Sequence, residues 1–224
     1  IGAGILLLPL VLLEIYQAII HKKWAVLSGF LWLVLYTGLY AVRLPVTYQH
    51  GRYAMPVIPV FLLLGCISGV RNLFSPSKKP LQQVIKVAWA TSISILSIAF
   101  LIMGAQTFAQ DVTYIESEMV DTAQWVATNI PKNELIAAHD IGALGYYGSH
   151  RLIDLAGLIS PEVIPFMTDQ QKLSRYLDEV QPGYLVTFPD WYPEMIADKK
   201  MIFSTGSAFA QKYGGKNMAV YLWK

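Results

Sequence analysis

Four stretches of this 224-residue chain are long and apolar enough to be read as membrane helices, which restricts the fold more than any other feature. A helix needs about 20 mostly apolar residues to cross about 30 Å of hydrocarbon. The stretches are Ile1–Ile20, Trp24–Val42, Ala54–Phe74 and Ile85–Phe108, and from residue 1 to 109 the only acidic side chain is Glu14. Short polar connectors separate them: His21-Lys22-Lys23, the Arg43–Tyr53 loop and Ser75–Pro80. A single such stretch could equally be a buried core helix, but four in succession almost without acids point to a membrane portion.

The charge is divided as sharply. Only 14% of residues are charged, against about 25% in an ordinary soluble domain, and the net charge is +2. The first 109 residues hold eight basic and one acidic residue (+7), and the remainder nine basic and fourteen acidic (−5). Two domains follow, 1–110 and 111–224. The chain opens Ile-Gly-Ala-Gly with no basic n-region or cleavage site, so the start is read as the interior of a longer protein, truncated on its N-terminal side. The single Cys66 excludes an internal disulfide.

Lys and Arg in short loops set orientation. The first and third connector regions carry Lys22, Lys23, Arg71, Lys78, Lys79 and Lys86, and the second carries Arg43 and Arg52. Six against two places the first and third in the cytoplasm. The second connector and everything after Phe108 then lie outside.

Beyond Gln110 the pattern is that of a globular domain. Ile115, Met119, Ala123, Val126 and Ile130 recur at helical spacing up to Pro131. Leu135–Ala138, Arg151–Leu155, Tyr184–Phe188, Met201–Ser204 and Met218–Trp223 read as strands, and Asp169–Val180 as a helix stopped by Gln181-Pro182-Gly183. The expected fold is therefore about four membrane-spanning α-helices followed by a small extracytoplasmic α/β sandwich.

Several side chains are candidates for chemistry. His50-Gly51-Arg52-Tyr53-Ala54-Met55-Pro56-Val57-Ile58-Pro59 opens the third apolar stretch. An arginine at headgroup depth can hold a phosphate with its planar fork; the competing reading is an interfacial Arg-Tyr anchor. Arg43 and His50 share the loop and are candidates to assist Arg52. Asp140–Gly148 follows a strand, but its glycines are spaced Gly-x-x-Gly-x-x-Gly and no Gly-Lys-Ser/Thr follows, so neither nucleotide fingerprint is present. Asp140 reads as the cap of a turn, with Tyr146 and Tyr147 either stacking on a sugar or lining a rim. His139 and His150 with Asp140 and Asp154 lack a preorganised ligand spacing and are read as solvated groups, with no metal site. The loop Phe188-Pro189-Asp190-Trp191-Tyr192-Pro193 either meets headgroups or a glycan or packs on the surface. No nucleophile-elbow pattern occurs, and the acidic second half disfavours nucleic acid.

The Arg52-Tyr53-x-x-Pro56-x-x-Pro59 element resembles one in bacterial lipid-linked sugar transferases, the GT-C-type glycosyltransferases related to protein mannosyltransferases and aminoarabinose transferase. Trp125, Asn129-Ile130-Pro131, Asp140-x-Gly142-Ala143-x-Gly145-Tyr146-Tyr147 and Asp154-Leu155-x-Gly157-Leu158 are similar to the C-terminal domain of members of that family; the likeness covers roughly residues 43–161. It implies a polytopic enzyme that takes a sugar from a polyprenyl-phosphate donor in the membrane lipid and delivers it to an acceptor outside. Arg52 is then the phosphate ligand, assisted by Arg43 and His50. Tyr53, Asp140, Tyr146 and Tyr147 become contacts to substrate or membrane interface. The family's catalytic acid lies in an early loop, so the catalytic residue is unassigned here, and Glu14, inside a helix, is not nominated. No cofactor is evident; a divalent metal in the upstream part stays open. The alternative is a non-enzymatic transporter or sensor with an external binding domain.

Overall fold

The computed structural model describes residues 2–43, 49–73, 75–76, 79–212 and 215–224. Two compact units result, Ile1–Ala105 and Gln106–Lys224. Residues 44–48 of the Arg43–Tyr53 connector, and residues 77 and 78 of the third connector, lie outside the described residues.

In the first unit a 3₁₀ helix, Gly2–Leu7, leads into α1 (Leu8–Ile20). Pro9 lacks an N–H and its ring crowds the carbonyl four residues back, so regular α-helix begins only at that point. The apolar helix Gly4–Ile20 is consequently shorter than a full span. Among the described residues three helices are long and apolar enough to cross a membrane: Trp24–Arg43, Arg52–Asn72 and Pro80–Asn129, whose most apolar 18-residue stretches have mean hydropathies of 1.8, 2.0 and 2.0. The first is α2 (Trp24–Arg43); the second joins a 3₁₀ segment, Gln49–Val57, to α3 (Ile58–Leu73). Val11 and Ile15 of α1 pack on Leu64 of α3. The two helices come close where Gly65 meets Leu7: a Cβ on the glycine would stand 2.8 Å from that of Leu7. Glu14 is buried in this contact and ion-paired to Arg71 at the end of α3, a cation 57 residues away.

The third long helix differs from the expected pair of separate segments. α4 (Pro80–Tyr114) passes through a π-helical turn, Ile115–Val120, into α5 (Asp121–Asn129) without interruption. The change from apolar to amphipathic composition near residue 110 does not break a helix. Between Pro80 and Pro131 there is no proline and only one glycine, Gly104, so nothing in the backbone stops it. The wide π turn has a packing consequence, as such turns often do. It points Glu118 inward, where the fully buried carboxyl group accepts hydrogen bonds from the Thr205 hydroxyl, Asn217 Nδ2 (3.0 Å) and the Met218 N–H (2.7 Å).

The rest of the second unit is a mixed sheet with helices on both faces. In chain order the elements are β1 (Leu135–Ala138), α6 (Gly142–Tyr147), β2 (Arg151–Asp154), a 3₁₀ helix (Pro161–Phe166) and α7 (Gln170–Val180). There follow β3 (Tyr184–Thr187), α8 (Pro193–Ile196), β4 (Met201–Ser204), α9 (Ala208–Lys212) and β5 (Ala219–Leu222). The strand order is β2-β1-β3-β5-β4. β2, β1 and β3 are parallel, with Ala137 opposite Ile153 and Leu185, while β5 runs antiparallel to β3 and β4. Successive strand residues face opposite sides: Ala137, Leu185 and Tyr221 join Leu173 and Leu177 of α7 in one core, and Ile136, Ala138, Val186 and Val220 join Val126 and Leu144 in the other. Asp169 caps α7 by accepting the Lys172 N–H, and Gln181 ends it in the left-handed region at φ 60°.

Candidate functional site

The expected phosphate ligand sits at the end of an aromatic column. Trp32, Tyr36 and Tyr40 recur every fourth residue on α2 and therefore share one face, with ring centroids 5.4 and 4.8 Å apart. Tyr53 stacks on Tyr40 at 5.5 Å. The guanidinium of Arg52 lies 5.1 Å from the Tyr53 ring centroid, and its Nη2 donates to the Tyr53 hydroxyl at 3.1 Å. The exposed cation is thus steadied by a ring that is itself stacked. Two residues further on begins the lining of an apolar groove of roughly 250 Å³ formed by Ala54, Val57, Ile58 and Phe61 with Leu33 and Thr37 of α2. Arg43, exposed, is the last residue of α2, and among the described residues no contact joins it to Arg52. His50 lies in the 3₁₀ segment, and its side chain is outside the described residues.

In the α/β unit the expected residues fall at the ends of β1 and β2. Asp140 Oδ1 accepts the Gly142 N–H at 3.4 Å where α6 begins. Of the three glycines in that segment only Gly148 is sterically required, since a Cβ there would stand 2.7 Å from the Leu144 carbonyl oxygen; Gly142 and Gly145 have ordinary room. Tyr146 and Tyr147 meet edge to face at 4.9 Å and are exposed. Tyr147 also borders an open groove of roughly 570 Å³ with Ile115, Glu116, Asp121 and Gln124.

The two histidines are not a pair. His150 Nε2 lies 3.1 Å from the Ile130 carbonyl, whereas His139 Nδ1 lies 2.6 Å from the Tyr192 hydroxyl. Burial holds the His139 pKa below its ordinary value, although Asp154 and Asp140 pull the other way. The Tyr192 hydroxyl is pushed up to about 12, mainly by burial and further by Asp154. Among the described residues no three His, Cys, Asp or Glu side chains converge as metal ligands.

Asp154, read from the sequence only as a solvated acid and part of a motif, is fully buried and organises a loop. Its oxygens accept the N–H groups of Ala156 (2.8 Å), Leu158 (2.5 Å) and Ile159 (3.0 Å), and Gly157 adopts φ 79° between them. Ser160 Oγ closes the turn by accepting the Asp154 N–H at 3.1 Å. The Asp-Leu-Ala-Gly-Leu order therefore encodes a turn in which one carboxyl group satisfies three backbone donors. An Asp ending a strand, with glycine three residues later, was the available signal.

Fold and site together define a chain with, among the described residues, three helices of membrane-spanning length, and with an α/β sheet domain that follows the last of them in sequence. Its second unit matches, over residues 107–221, the family described as Domain of unknown function (DUF8728), and the chain belongs to that family. No curated protein and no solved structure matches it.

Proposed function

We propose that this chain is part of a membrane glycosyltransferase that takes a sugar from a polyprenyl-phosphate carrier and delivers it to an extracytoplasmic acceptor. The observation that carries this reading is Arg52, an exposed guanidinium braced by Tyr53 beside an apolar groove. A planar fork suits a phosphate, and an apolar groove beginning at Ala54 suits the chain that the phosphate bears. The Lys/Arg bias of the connectors supports a topology with Arg52 and the acidic α/β unit on the non-cytoplasmic side of a plasma membrane, bacterial by the resemblance.

Arg52 would stabilise charge developing on the departing lipid phosphate. Replacing it by Ala in the whole protein is expected to slow transfer by about 100- to 1,000-fold, the effect of removing one such donor once bound lipid has excluded water from the site. Arg52→Lys should recover little, because a point charge cannot replace the fork. Transfer unchanged in Arg52→Ala would remove this residue from the mechanism.

One observation favours the alternative of a transporter or sensor: the ion pair of buried Glu14 with the exposed Arg71, since ionisable groups inside membrane helices often line ion or substrate paths. Activity lost in Glu14→Gln but kept in Arg52→Ala would support that reading over the transferase.

A further inference from the structure

In an open sheet with parallel strands, ligands bind outside the carboxyl ends of the strands, at the point where neighbouring connections depart in opposite directions. Here that point lies between β1 and β3. The connection after β1 leads to β2 on one side, and the connection after β3 leads to β4 at the opposite edge. The two loops diverge there, and by that rule the crevice is the space beyond the carboxyl ends of β1 and β3. His139 stands at the β1 end and Trp191 and Tyr192 at the β3 end, and the contact between His139 Nδ1 and the Tyr192 hydroxyl bridges them.

The crevice is lined by an ordered set of groups. Tyr192 is buried and sets the orientation of the His139 ring. Its other nitrogen, Nε2, has no partner among the described residues. Trp191 is 43% exposed; its ring meets His139 edge-on at 4.7 Å and Phe188 at 4.9 Å. The loop presenting it is fastened by the Trp191 N–H to the Phe188 carbonyl (3.0 Å) and by the Lys216–Asp190 ion pair (2.7 Å). Asp140, beside His139, uses only Oδ1 among the described residues, accepting from Gly142.

A part-exposed indole, with an imidazole nitrogen and a carboxyl oxygen that have no partner among the described residues, is complementary to a ring carrying hydroxyl groups. The C–H face of such a ring covers the indole, and its hydroxyls both donate and accept. The acidic groups Asp140, Asp154 and Asp190 around the crevice oppose a phosphate or other anion. We propose that the β1/β3 crevice is a binding site for a neutral or amino sugar ring, stacked on Trp191 and hydrogen-bonded by His139 Nε2 and Asp140. This goes beyond the transferase reading and does not depend on Arg52.

The test is saturation-transfer NMR and calorimetric titration of the purified full chain in detergent, without lipid donor. The probes are the methyl glycosides of glucose, N-acetylglucosamine and glucosamine, with glucose 1-phosphate as the anionic comparison. At least one neutral or amino glycoside should bind saturably, at about millimolar affinity for so small a contact. Trp191→Ala should weaken that binding about tenfold and His139→Gln about fivefold. Met201→Ala, an exposed residue of the edge strand β4, should leave it unchanged. No saturable binding, binding indifferent to Trp191→Ala, or preference for the phosphorylated sugar would overturn the proposal. Because transfer is not measured, these results are read separately from the outcome at Arg52.

Discussion

Glu118 offers the sharpest test of how the α/β unit is assembled. Replacing it with Ala leaves three donors without their acceptor. The Met218 N–H is the costly one, because Met218 is only 1% exposed and a buried unsatisfied amide costs about 1–3 kcal/mol. Thr205 and Asn217 are partly exposed and can turn to water, so each adds only about 0.5 kcal/mol. The space vacated by the side chain adds about 1 kcal/mol more if it does not collapse. The total is about 3–5 kcal/mol, a large part of the 5–15 kcal/mol that holds a domain of this size together.

Glu118→Gln keeps the volume and one acceptor oxygen, which can still serve Thr205 and Met218, so its cost should be about 1–1.5 kcal/mol. Hydrogen exchange of the amides in β4 and β5, followed by mass spectrometry on the full chain, reads the difference. Exchange should be faster by about 150-fold or more for Ala and about tenfold for Gln, at 1.4 kcal/mol per factor of ten. If Ala accelerates exchange less than about fivefold, the buried carboxyl group is not what fastens the strands to the helix. Equal effects from Ala and Gln would show that the arrangement of acceptors is irrelevant.

Two further perturbations follow from the same reasoning. Asp154→Ala should speed exchange of the 156–159 amides by about 30-fold, for a loss near 2 kcal/mol from three donors that sit at the surface and can rehydrate; unchanged exchange there would refute the capping role. His139 has a folded pKa below its ordinary 6.5, so between those two values the unfolded chain binds more protons than the folded one. The stability contributed by the neutral ring is full above about pH 6.5 and is lost as pH falls below it. The thermal midpoint of the α/β unit should drop between about pH 7.5 and 5.5, and His139→Gln should flatten that slope; identical slopes would refute the assignment.

The strands were legible because their signals are local. Leu135–Ala138 follows a Pro-Lys-Asn turn, and Met201–Ser204 appears with the bounds expected of it. The second helix of the α/β reading was equally plain, bracketed by the Asp169 cap and the Gln181-Pro182 stop. What could not be read depends on partners far apart in the chain. Glu14 with Arg71, His139 with Tyr192 and Glu118 with Thr205 are separated by 57, 53 and 87 residues. The π turn leaves no mark in composition, and counting at a uniform helical period makes Glu118 look like one more surface acid. The long helix was divided because polarity changes near residue 110, although polarity alone does not end a helix. The aromatic column beneath Arg52 was available, since Trp32, Tyr36 and Tyr40 are four residues apart; its meaning depended on Tyr53 arriving from another segment to complete the stack.

The turn built on Asp154 has an effect on recognition. With its amides drawn inward to one carboxyl group, the loop must turn Leu158 and Ile159 outward, and they are 81% and 58% exposed. These two side chains are held in place before any encounter, so a surface that meets them gains contact without first freezing a wandering segment. Preorganisation of this kind lets a small apolar knuckle contribute to association out of proportion to its area.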